Sequence, residues 1–90
     1  MLNAISLNEV FFHATRLGLS LFDIVEDAEE QTITAVFRGN ERMALVTVFL
    51  DGEVIVSWKA EKPVFVEIQP GRTAALDAAT RVQSYLATGE

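Results

Sequence analysis

Cysteine is absent from the 90 residues, and histidine occurs once. That excludes a disulfide framework, a thiolate nucleophile and the Cys/His ligand sets of structural zinc. It fits a reducing compartment, with the cytoplasm as the expected location. Basic residues are scarce: seven Lys and Arg stand against 13 Asp and Glu, for a net charge of −6. A phosphate-gripping domain carries a basic stripe, and seven scattered cations do not make one, so direct binding of nucleic acid is not expected. No apolar run approaches the roughly 20 residues of a membrane span. A basic segment followed by an apolar one is missing from the N-terminus, so neither a signal peptide nor a membrane partner is expected. The five Gly are isolated turn or cap residues, and Gly71-Arg72-Thr73 lacks the rest of a phosphate loop.

Half of the residues are hydrophobic and 22% are charged, a composition that folds. The length suits one domain, residues 1–90, with one core. Ser6-Leu7-Asn8-Glu9 reads as a capping box, with Ile5 and Val10 placed to form a hydrophobic staple. Leu7, Val10, Phe11, Ala14 and Leu17 recur at helical spacing, and Gly18 supplies a left-handed stop. Strands are expected at Leu19 to Glu26, Thr32 to Phe37, Arg42 to Leu50, Glu53 to Trp58 and Pro63 to Ile68. Their short connections require antiparallel neighbours. A second helix is expected over Thr73 to Ala87, with Gly89 as its stop. The fold class is therefore α+β: an N-terminal helix, a five-stranded antiparallel meander and a C-terminal helix.

Leu45-Val-Thr-Val-Phe-Leu50 is apolar at almost every position, so both of its faces need cover or a partner. With Asp51-Gly52 as a two-residue loop, Phe49 faces Val54, Thr47 faces Val56 and Leu45 faces Trp58. An odd loop before Arg42 pairs Phe37 with Met43 and Ala35 with Leu45, and the Asp27 to Glu30 turn sets Ile24 beside Ile33 and Phe22 beside Ala35. One strongly apolar face results: Phe22, Ile24, Ile33, Ala35, Phe37, Met43, Leu45, Phe49, Val54, Val56 and Trp58, extended by Val64, Val66 and Ile68. Five strands about 4.8 Å apart form a sheet roughly 20 Å wide, which two helices about 10 Å across can cover. A two-layer sandwich with both helices on that face is expected, with a three-layer arrangement, one helix on each side, as the alternative. Val36, Val46, Val48, Leu50, Ile55 and Phe65 then form an uncovered patch, and such a patch marks an interface.

Few residues suggest catalysis. His13 sits on the polar side of the first helix, one turn from Glu9 and from Arg16, as a solvated residue. Asp23, Glu26, Asp27, Glu29 and Glu30 crowd one strand end and turn, without the spaced ligands and central Gly of a calcium loop. No cofactor and no metal are expected. Trp58 falls under the helices, and Phe12 lies off the apolar stripe of its own helix. The leading expectation is a non-enzymatic protein-interaction module working through the patch on another protein or on a second copy. One alternative is a small acidic inhibitor, of the mobile-element or anti-defence type, that occupies a basic nucleic-acid-binding surface of a host protein. Another is a small-ligand binder or enzyme with a pocket between helices and sheet, near His13 or Tyr85.

Overall fold

The computed structural model describes residues 7–90. Helix α1 (Leu7–Arg16) is followed by strands β1 (Ser20–Asp27), β2 (Thr32–Gly39), β3 (Arg42–Phe49), β4 (Val54–Lys59) and β5 (Pro63–Ile68), and then by helix α2 (Ala74–Thr88). The expected capping residues Ile5 and Ser6 lie outside the described residues. Gly18 and Gly89 take left-handed backbone at the ends of the two helices, and the Gly89 N–H closes α2 on the Tyr85 carbonyl at 2.7 Å. The strands form one antiparallel sheet in the order β1-β2-β3-β4-β5. No helix among the described residues is long and apolar enough to cross a membrane.

Both helices share one core with one face of the sheet. Ala74, Ala75, Ala78, Ala79, Val82, Tyr85 and Leu86 of α2 are buried. The four alanines let the first half of the helix lie close to the sheet, and the helix packs over β2 to β5. Beneath it are Ala35, Phe37, Ala44, Val46, Val54, Val56, Trp58 and Ile68. Helix α1 leans on α2 and adds Val10 and Ala14 to the same cluster. Gln83 Nε2 donates to the Leu17 carbonyl, and Arg42 Nη1 and Asn40 Nδ2 both donate to the Leu86 carbonyl. These bonds fasten α2 to the end of α1 and to the β2–β3 turn. The result is the expected two-layer sandwich, with one difference in cover. Helix α2 packs on β2 to β5 with α1 stacked beside it, and all eight residues of β1 are exposed.

The register differs from expectation at three places. Gly39 pairs with Arg42 across a two-residue turn in which Asn40 and Glu41 both have positive φ. That is the geometry of a primed hairpin turn, so Phe37 meets Ala44 rather than Met43, and Ala35 meets Val46 rather than Leu45. Between β3 and β4 the loop has three residues. The Gly52 N–H bonds the Phe49 carbonyl, Gly52 has φ +95°, and the Phe49 N–H bonds the Glu53 carbonyl. Val48 therefore meets Val54, Val46 meets Val56, and Thr47 meets Ile55. Each loop is one residue away from the expected register, and the two shifts cancel at β4. Only β3 is inverted: Val46 and Val48 face the helices, while Met43, Leu45 and Phe49 face away. In β1 a bulge between Leu21 and Asp23 changes the phase. The β1–β2 turn, which pairs Asp27 with Thr32, already sets Ile24 opposite Ala35 rather than Ile33; the bulge turns Phe22 to the far face, where the Arg38 guanidinium lies 4.5 Å over its ring.

Candidate functional site: the open face of the sheet

The face opposite the helices is built by alternation along the five strands, so its rows can be read across the pairing. One central row runs Asp23, Val36, Leu45, Ser57, Phe65, and the next runs Val25, Thr34, Thr47, Ile55, Glu67. Ser20, Arg38 and Met43 lie at one end, with Lys59 and Pro63 at the same end of β4 and β5. Asp27, Thr32 and Phe49 lie at the other end, beside Glu53. Phe65 is 70% exposed, Phe22 56%, Val25 49% and Met43 43% on this face, while Leu21, Ile24 and Ile33 are exposed on the helix side at the β1 edge. Val36 at the centre is nevertheless buried by its neighbours on the same face. The Thr34 and Thr47 hydroxyls hydrogen-bond each other at 2.9 Å across β2 and β3.

The sequence-based interface set divides. Val36, Ile55 and Phe65 are on the open face. Val46 is fully buried under the helices and Val48 packs against the same core, so neither belongs to it. Leu50 is exposed in the β3–β4 turn, where its N–H bonds the Gln31 carbonyl. The residues not anticipated there are Phe22, Met43, Leu45 and Phe49. The β1 bulge, the two-residue Asn40-Glu41 turn and the three-residue Gly52 loop put them there, and an Asp-Gly pair alone does not distinguish two-residue from three-residue loops.

The acids also gather in a way the sequence conceals. Asp27 Oδ1 accepts from the Glu29 and Glu30 N–H groups and so shapes its own turn. Asp23 accepts from the Ile24 N–H, and Asp51 accepts from the Glu53 N–H. The β1–β2 and β3–β4 turns meet through Leu50 and Gln31, which brings Glu30 and Asp51 to one shallow depression of about 400 Å³, lined also by Gln31, Phe49 and Leu50. Glu53 and Glu67 lie side by side at that end. Their hydrogen bond, partial loss of water and the charges of Glu67 and Asp51 raise the Glu53 carboxyl above its ordinary value. A carboxyl that binds its proton more tightly when folded contributes stability at low pH and loses it as pH rises through the folded value. In protein dilute enough to be monomeric, Glu53→Gln should accordingly raise the denaturation midpoint at neutral pH and leave it unchanged well below the carboxylate range. Parallel urea titrations at the two pH values would check both halves.

The depression between the two turns takes in none of the remaining candidates. His13 packs edge-on against Phe12, with ring centroids 5.2 Å apart. Tyr85 stacks on Trp58 at 4.4 Å and 12°, inside the core rather than at its rim. Among the described residues no group of three or more His, Asp or Glu is arranged to hold a metal ion. The chain matches no protein-family model, no curated protein and no solved structure.

Proposed function

We propose that this chain is a non-enzymatic protein-interaction module whose contact surface is the open face of its sheet. The observation that carries the reading is the set Phe22, Val25, Met43, Leu45, Ile55 and Phe65, placed together on the one face that no helix covers. Removing one Val, Leu, Ile or Phe side chain of such a set from water is worth roughly 1.5–3 kcal/mol. Several of them can offset the entropy of association. The Thr34–Thr47 bond uses one of the two hydroxyl donors, which lowers the cost of covering this polar pair at the centre. Ile55→Lys tests the reading, since Ile55 is only half-buried and its strand conformation is kept. The substituted protein should fold with near-native circular dichroism and lose whatever the unsubstituted protein retains in affinity capture from its own cells, including further copies of itself. Unchanged retention would remove the reading.

A second reading draws on the convergence of Glu30, Asp51, Glu53 and Glu67 at one end of the sheet: an acidic surface that occupies a basic surface of another protein. Its binding should weaken as salt rises to physiological strength, where the screening length is about 8 Å. Binding indifferent to salt would leave only the apolar reading.

A further inference from the structure

The open face is polarised along its strands, and the polarity is of a kind that a copy of itself can satisfy. Arg38 and Lys59 stand at one end, and Asp27, Glu53 and Glu67 stand toward the other; between them lie the apolar residues with Ser57, the Thr34–Thr47 pair and, on the β1 edge, Asp23. A second sheet laid face to face can be related by a twofold axis in the plane of contact, in one of two ways. With the axis parallel to the strands, like ends meet, and Arg38 comes opposite the other copy's Lys59. Like charges held opposite each other oppose that arrangement. With the axis across the strands, each basic end meets an acidic end. Each strand then lies over its own equivalent, Lys59 comes opposite Glu53 of the other copy, and Met43 comes opposite Phe49.

From these observations we infer that the partner of the open face is a second copy of this chain, packed face to face with its strands reversed. This inference rests on the open face being a contact surface. The pairing of Lys59 with Glu53 occurs twice by the symmetry, and each supplies a cation to the end where Glu53 and Glu67 share a hydrogen bond but bring like charges together. Aligned sheets are rotated by about 30°, which at the ends of these strands is a lateral shift of about one strand spacing, within reach of a Lys or Arg side chain. Five strands about 4.8 Å apart and about seven residues long present roughly 550 Å² in plan. Protruding side chains enlarge that area toward the roughly 800 Å² per partner of a stable complex. The β1 bulge, which turns Phe22 onto this face, adds its ring to the contact.

The test is a charge exchange read by analytical ultracentrifugation. The unsubstituted chain should sediment as a dimer at micromolar concentration. Lys59→Glu and Glu53→Lys should each weaken self-association at least tenfold, because each places two like-charged contacts in the dimer. Mixed in equal amounts, the two variants should form a heterodimer, and the doubly substituted chain should dimerise as the original does. An unsubstituted chain that stays monomeric at 100 µM, or a dimer indifferent to both single changes, would overturn the inference. If the chain is monomeric while Ile55→Lys still abolishes capture of another protein, the contact surface stands and only its assignment to a second copy falls. If Ile55→Lys also changes nothing, both fall.

Discussion

Trp58→Ala should lower the unfolding free energy by roughly 3–5 kcal/mol, the cost of emptying a core site of this size. Trp58 is 6% exposed, lies on β4 beneath α2, and stacks on Tyr85 at 4.4 Å, with the Arg81 guanidinium 4.6 Å from its ring. Removing the indole therefore strips an aromatic stack and a cation contact as well as apolar area. A domain of this length has on the order of 5–15 kcal/mol in total, so the variant should be partly unfolded at 37 °C. Urea denaturation followed by far-ultraviolet circular dichroism would measure the change, because the only tryptophan has been removed. Trp58→Phe, which keeps a ring for Tyr85, should recover a large part of the loss. An unchanged midpoint for Trp58→Ala would mean that α2 does not rest on β4.

Val46→Lys should not fold. Val46 is fully buried between Ala35 on β2 and Val56 on β4, with the alanine face of α2 above it. An ammonium there has no partner and no water, and the several kcal/mol needed to bury or deprotonate it approach the whole stability of the domain. Leu45→Lys, one residue earlier on the same strand, places the same group on the open face, where its amine reaches solvent. That variant should fold, with a midpoint close to the original when both proteins are dilute enough to be monomeric. Opposite outcomes for adjacent residues would establish the phase of β3 directly, by circular dichroism and size-exclusion chromatography of the two proteins. Equal tolerance of both changes would mean that the strand is not packed in the register described above.

The elements themselves were legible because periodicity, turn residues and glycine stops agree along the chain. Phe11, Ala14 and Gly18 mark α1, Pro63 to Ile68 alternates cleanly, and Ala75, Ala79, Val82 and Leu86 define the buried stripe of α2. Faces were legible wherever only one side of a strand is apolar, as with Val54, Val56 and Trp58. Strand β3 defeats that logic because both of its faces are apolar. Choosing its larger residues for the core favours Met43, Leu45 and Phe49, yet the helix above is lined with alanine and sits close. The small Ala44 together with Val46 and Val48 fits that narrow gap. Turn chemistry decides such a case, and here the signals are atypical: Glu41 occupies a positive-φ position usually held by Gly, and Asp51-Gly52 belongs to a three-residue loop. The Phe22 bulge has no local signal in the residues around it. The Glu53–Glu67 pair joins residues 14 positions apart across β4 and β5, so only the fold brings it together.

Hydroxyl-radical footprinting of the dilute protein and of its associated form tests the open face as a contact surface most directly. Met43, Phe22 and Phe65 report on that face. Phe12 and Leu76, 57% and 39% exposed on the two helices, serve as references away from the sheet. In the dilute protein all five should be oxidised readily, while Phe37, buried beneath the helices, should resist. On association Met43, Phe22 and Phe65 should become protected severalfold, with Phe12 and Leu76 unchanged. Protection that falls on Phe12 and Leu76 while Met43 and Phe65 stay reactive would contradict the assignment and move the contact surface to the helices.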